Sequence, residues 1–356
     1  MKRRLVPVAA LAAATIAVDA LARATGNAFL LTQLTMAGYA TVVAAGLSLL
    51  MGYAGQISLG HAGFFAIGGY AAAALTTAGL GPPRGGGASA LATLHVLVPR
   101  ADPFGGADVW SVHPWAALAA AVLLALAIAV VLGVPILKLR GHYLAMATLG
   151  FGTIVQSVVV GTEWLGGADG LSGVPPLPIL PGIAVSGAAA DRVVNYYVAW
   201  GLVALAVLFL DNLVSSRVGR ALRAIHGSEE AAGTMGVDVA RYKLGTFVIS
   251  AGMAAVAGAF LTHFNGSIGP SEASVMRSIR YVAVVAVGGM GSLTGTVATS
   301  GVLTFLSLRG TFGSLDDAVF GAILIAVMLF APEGVLRGGG VASALLRRGR
   351  RPEGAG

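Results

Sequence analysis

The sequence predicts an all-α protein, a polytopic transmembrane helical bundle of about 8–10 spans with broken or re-entrant segments. Three observations carry that expectation. Apolar residues make up 56% of the 356 residues and charged ones only 10%, for a mean hydropathy of +0.85. The apolar residues gather into repeated runs of about 20, the length a helix rising about 1.5 Å per residue needs to cross about 30 Å of hydrocarbon. Between the runs lie stretches rich in Gly, Pro or charge, where a membrane chain returns to water.

Ten runs follow one another, at 5–21, 28–51, 57–79, 115–137, 143–161, 195–213, 244–264, 279–290, 292–308 and 318–331. An even number places both termini on one side. With Lys2, Arg3 and Arg4 in the cytoplasm, the same face receives Lys138, Arg140, the five basic residues from Arg217 to Lys243, Arg337, Arg347, Arg348, Arg350 and Arg351, 15 of the 22 Lys and Arg. That asymmetry follows the positive-inside rule. It also accounts for the net charge of +7 without nucleic acid as a partner. The two short runs that meet around Gly288 to Gly291 are either full spans or a broken, re-entrant pair. The first run resembles a signal peptide ending at Ala22-Arg23-Ala24, but reads better as an uncleaved helix; cleavage leaves the remaining topology unchanged.

Two Gly- and Pro-rich stretches are expected as loops. Residues 81–114 carry Pro82, Pro83 and Gly85 to Gly87 and are too broken for a span; residues 166–181, GGADGLSGVPPLPILP, demand turns and forbid a continuous helix. The absence of cysteine excludes disulfides and thiolate metal sites, and the six histidines show no metal-ligand spacing, so neither metal nor cofactor is expected.

Within the runs, Gly68-Gly69, Gly288-Gly289 and Gly291 permit close helix contact in lipid. Gln56, Ser58 and His61 place polar groups at the start of a span, where they either pin neighbouring helices or line a route through the membrane. Gln156, Gly288 and Gly289 are further pathway candidates. The other ionisable residues of the runs and their edges are Asp19, Glu163, His263 and Arg280. Asp19 reads as interfacial, and Arg280 as snorkelling to the headgroups.

The most informative segment is the charged island at 216–243, with five basic and three acidic residues in a chain otherwise poor in charge. Ser228 suits an N-cap, Glu229 and Glu230 the first turn where the helix dipole favours carboxylates, and Gly236 the left-handed residue that ends the helix. Ala231 and Ala232 leave a face without bulk, fit for a groove on a partner. Gly233 weakens such a helix by about 1 kcal/mol relative to Ala.

The Glu230-Ala231-Ala232 and Gly236 spacing resembles the cytoplasmic EAA loop with which membrane subunits of ABC importers dock on their ATPases. The blocks GYAGQISLGHAGFFAIGGYAAA (52–73), LRGHYLAMATLGFG (139–152), GGADGLSGVP (166–175), GRALRAI with MGVDVARYKL (within 219–244) and VGGMGSLTGTV (287–297) are similar to the LivM-type permease of branched-chain amino-acid importers. The second and third blocks favour that subunit over its LivH-type partner. The resemblance implies a permease that hydrolyses nothing itself and works with two ABC ATPase subunits, a LivH-type permease and an extracytoplasmic substrate-binding protein, in the bacterial inner membrane. It divides the chain into a permease domain (1–337), an extracytoplasmic loop or insertion (81–114), a cytoplasmic coupling loop (215–243) and a basic tail (338–356). Urea or short amides are the alternative cargo of such permeases. A secondary carrier would need a midplane ion site, an enzyme would need clustered acids or a nucleophile with its base, and a passive channel, the distant alternative, would not need the docking helix.

Overall fold

The computed structural model describes residues 2–79, 96–100, 109–139 and 141–330. The tail at 338–356, Arg140, and residues 80–95 and 101–108 of the expected loop lie outside the described residues. All ten apolar runs fall on helices: α1 (Lys2–Ala24), α2 (Leu30–Ala54), α3 (His61–Thr77), α4 (Pro114–Ile136), α5 (His142–Gly161), α6 (Arg192–Ser215), α9 (Val239–Asn265), α10 (Val275–Gly288), α11 (Leu293–Leu308) and α12 (Asp316–Phe330). Two short helices, α7 (Arg217–Gly227) and α8 (Glu229–Thr234), occupy the charged island. By length and composition, six helical segments among the described residues can cross a bilayer. Helices α3, α10 and α11, of 17, 14 and 16 residues, are shorter than the about 20 a full crossing takes, so the runs at 279–290 and 292–308 fold as two short helices.

Helices suit these runs because lipid offers no partner for a free N–H or C=O, so each segment must satisfy its own backbone. Their ends are set locally. Gly55, at φ 66°, terminates α2 in the left-handed region that glycine enters without penalty. Pro114 opens α4 at a position where its missing N–H costs nothing. Ser216, Asp238, Ser274 and Ser292 cap α7, α9, α10 and α11 through their side-chain oxygens.

Helices α2 and α9 form the centre. α3 packs along α9 at backbone distance: a Cβ on Gly68 would strike the Ala255 backbone, and one on Gly258 the Phe65 carbonyl. On α4 a stripe of Ala117, Ala121, Ala125, Ala129 and Gly133, four residues apart and buried, faces α3 and α9. Small residues thus bring three helices together, as expected where lipid removes the hydrophobic drive and packing alone holds helices. The opposite faces of α4, α5, α6 and α12 expose Leu123, Val131, Ile154, Val158, Leu205, Phe209, Ile325 and Leu329, a surface for acyl chains.

The loops form small antiparallel pairs. β1 (Leu97–Arg100) and β2 (Val109–Val112) register Leu97 with Val112, so the expected 81–114 loop contains a two-stranded ribbon and ends in α4. β3 (Leu171–Ser172) pairs with β6 (Ser267–Ile268), and β4 (Leu177–Leu180) with β5 (Ile183–Val185). Gly166, Gly167, Gly170, Gly173 and Gly182 take positive φ there, which is why no helix runs through this Gly- and Pro-rich stretch. α9, about 40 Å long by its 27 residues, separates this loop end of the bundle from the α7–α8 end.

Candidate functional site

At one end of the bundle the island folds as two helices in series. α7 packs on α6 and α2, and a Cβ on Gly219 would strike the Val214 carbonyl. Ser228 Oγ accepts from Ala231 N–H at 3.2 Å and caps α8, with Glu229 and Glu230 in its first turn. Gly236 at φ 81° follows. The cap, the acids and the turn all stand where the spacing predicts.

One expectation is corrected. Ala231 is exposed, but Ala232 is buried against the chain itself, because Val237 N–H reaches back to Ala232 O at 3.1 Å and folds the α8 exit under the helix. The face offered outward instead carries Met235, 84% exposed, which the sequence reading passed over. A bare thioether side chain beside a left-handed glycine suits a partner's apolar pocket. Glu229 does not face outward alone either: it pairs with Lys243, a nearly buried lysine at the base of α9.

The polar residues between α2 and α3 lie close to this apparatus. His226, in the last turn of α7, presses on Gly55, where a Cβ would lie 3.0 Å from its Nδ1. Next in sequence, the Gln56 side chain is buried and neither its Nε2 nor its Oε1 has a hydrogen-bond partner among the described residues. Ser58 Oγ lies 3.1 Å from His61 Nδ1, and His61 Nε2 lies 2.7 Å from Ser250 Oγ on α9. Thr148 Oγ1 on α5 accepts from Leu59 N–H at 2.9 Å. The structure therefore buries the side chains of Gln56, Ser58 and His61 along the turn into α3, where Leu59 ties it to α5 and His61 to α9. It does not gather the other pathway candidates there. Gln156 is half-buried farther along α5, and Gly288 packs on α11, where a Cβ would lie 2.6 Å from Thr296 Cα. Gly289, at φ 96°, makes the break between α10 and α11, and it is Gly291 that abuts Gly52 on α2.

A second polar region was not legible in the sequence. Arg280 is partnered by carboxylates: its Nη1 lies 2.7 Å from Asp316 Oδ2 and its Nε 3.0 Å from Asp317 Oδ1 at the start of α12. Glu272, in a 3₁₀ turn at Pro270–Ala273, places Oε2 2.6 Å from Arg277 Nη1. Burial pushes the Glu272 carboxyl up from its ordinary value, against the pull of Arg277. Asp19 sits near the end of α1, where α1 meets the start of α6. It is buried, 2.9 Å from Arg23 Nε and 2.8 Å from the Tyr197 hydroxyl, which donates to it and fastens α1 to α6. His263 Nδ1 lies 2.7 Å from Pro175 O, holding the loop end to α9. Among the described residues no group of His, Asp or Glu is arranged to hold a metal ion.

The family model described as "Branched-chain amino acid transport system / permease component" matches residues 29–329, from the start of α2 almost to the end of α12. The chain belongs to that family. The permease protein LivM of the high-affinity branched-chain amino acid transport system of Escherichia coli (strain K12) is 31% identical over 317 residues, covering 83% of this chain and 67% of that protein. LivM of Salmonella typhimurium (strain LT2) is 30% identical over 324 residues, 85% of this chain and 68% of its own length. LivH of the same organism is 36% identical, but over 143 residues, 39% of this chain and 46% of LivH. The breadth of the LivM match favours that subunit type, as the 139–152 and 166–175 blocks do. No solved structure matches the chain. Membership in this permease family and the apolar helices together make the chain a multi-pass membrane transport subunit.

Proposed function

We propose that this chain is the LivM-type subunit of an ATP-driven importer, pairing with a LivH-type permease above two ATPase subunits and receiving branched-chain amino acids from an extracytoplasmic binding protein. Within it, α7 and α8 form the cytoplasmic coupling element, with both termini on the same side, residues 1–337 as the permease domain, residues 81–114 outside and 338–356 as a basic cytoplasmic tail. Ser228, Glu229, Glu230, Ala231 and Gly236 shape the docking helix, and Ala232 anchors it from within. Gln56, Ser58 and His61 form the part of the pathway nearest that element, with Gln156, Gly288 and Gly289 along its continuation.

The observation that carries this reading is the contact of His226 on Gly55, which joins the capped α7–α8 pair to a turn holding a buried, unsatisfied Gln56 amide. A ligand can shift a conformational equilibrium only through different affinities for the two states, and an ATPase dimer bound at α8 supplies such a difference. Affinity purification in gentle detergent with mass spectrometry, followed by uptake of L-leucine into proteoliposomes, tests the proposal. Recovery of two ATPase subunits with a second permease, and ATP-dependent uptake, is the expected result. Isolation of the chain alone, under conditions that keep a control importer intact, overturns it.

A further inference from the structure

At the loop end of the bundle, α2, α3, α9, α10 and α11 enclose a cavity of about 110 Å³ whose lining includes Phe65, Leu261, Glu272, Arg277, Arg280 and Val284. One wall is apolar and the other carries opposite charges. Arg277 and Glu272 face each other at 2.6 Å, and the Arg277 guanidinium lies 6.0 Å from the Phe65 ring centre. Arg280 lies 5.5 Å from the ring of Phe320, between the cavity and Asp316. A water needs about 10–15 Å³ of such space, so the cavity takes a molecule of the order of ten heavy atoms, the size of a free amino acid rather than a peptide or a sugar chain.

The pair is partly buried, with 34% of the Arg277 side chain and 14% of the Glu272 side chain exposed, so desolvation offsets part of the attraction between the two ions. Here the pair stands on a cavity wall, where a ligand can exchange with it. We propose that this cavity is a subsite for a zwitterionic, apolar α-amino acid, with Arg277 and Arg280 receiving its carboxylate, Glu272 its ammonium, and Phe65, Leu261 and Val284 its side chain. A zwitterion entering between Arg277 and Glu272 leaves every charge with a partner. A molecule carrying only one of the two charges leaves the other member of the pair partly desolvated and without a partner, which costs more than the lost contact. The subsite thus selects by charge balance before it selects by shape. This inference rests on the importer reading, and it assigns a place within the permease where the cargo is held.

The test uses the assembled complex of both permeases and both ATPases in nanodiscs, without the binding protein. Saturation-transfer NMR reads the binding of L-leucine, of 4-methylpentanoate, which lacks the ammonium, and of isoamylamine, which lacks the carboxylate. The expected result is saturation of L-leucine, at least about tenfold weaker binding of both single-charge analogues, and a similar loss for L-leucine in Glu272→Gln. Should Glu272→Gln fail to assemble, Phe65→Ala keeps the question open to refutation: enlarging the apolar wall shifts preference from L-leucine toward L-phenylalanine by about tenfold or more. Equal binding of all three probes, or an unchanged preference in Phe65→Ala, overturns the subsite. Proteoliposome uptake separates the two claims, because a complex that imports L-leucine yet fails these tests retains the importer reading and loses only the subsite.

Discussion

His61 Nε2 and Ser250 Oγ, 2.7 Å apart and both buried, bind the first turn of α3 to α9. With Ser58 Oγ at 3.1 Å from Nδ1, the imidazole has a partner on each nitrogen, one donating to it and one accepting from it in the neutral ring. Such a ring locates two helices against each other. Ser250→Ala removes one partner and leaves a buried ring nitrogen unsatisfied, at a cost of about 1–3 kcal/mol. Thermal unfolding of the detergent-solubilised protein checks this; a midpoint equal to that of the parent counts against the pinning role.

The α3–α9 contact at Gly68 and Gly258 leaves no room for a side chain. Gly258→Leu drives a branched side chain into the Phe65 backbone and is expected to destabilise by about 1–3 kcal/mol or more and to abolish uptake. Gly245→Ala, on the same helix with open space at its Cβ position, serves as the control and is expected to be neutral or slightly stabilising.

Lys243 is nearly buried and Glu229 about one-third exposed in their ion pair. Glu229→Ala leaves a desolvated ammonium without its carboxylate, a loss of about 2–3 kcal/mol after allowing for the exposure of the glutamate. Lys243→Met in the Glu229→Ala background restores most of it, because an apolar chain of like length fills the same space. A double-mutant cycle on unfolding midpoints measures the difference. Additive losses would refute the pairing.

At the proposed docking surface, Met235→Asp is expected to reduce co-purification of the ATPase subunits severalfold while leaving the unfolding midpoint within a few degrees, since the side chain touches little of its own chain. Gly236→Arg adds a left-handed penalty of about 1–2 kcal/mol to the same obstruction and is expected to abolish uptake. Ala232→Asp acts differently. It buries an unpaired carboxylate inside the chain and lowers stability as well as assembly. Normal ATPase recovery with Met235→Asp would place the interface elsewhere.

The helices were legible because each span must hide its backbone from lipid within a run of fixed length, a constraint written residue by residue. The α8 cap was legible for a similar reason: Ser228, Glu229, Glu230 and Gly236 act within one turn of each other. The cavity was not. Glu272 and Arg277 meet across a turn, and Arg280 finds Asp316 and Asp317 only after α10 has gone and α11 has returned, so its partners lie 36 and 37 positions away. Taken alone, an arginine at the edge of an apolar run is best explained by headgroups. Ala232 and Met235 illustrate the limit at short range, since a six-residue helix has too few turns for its pattern to declare which face is inward.

Helix α7 is fastened at both ends, by Gly219 against Val214 and by His226 against Gly55. It is a beam on two supports rather than a free arm. A load placed on α8 is shared between α6, the α2 face on which Leu222 packs, and the corner joining α2 to α3, where an imidazole rests on a residue without a side chain. At that corner the bulk of residue 226 sets the spacing between the beam and its far support, while Gly219 and Leu222 hold the near end and the span between.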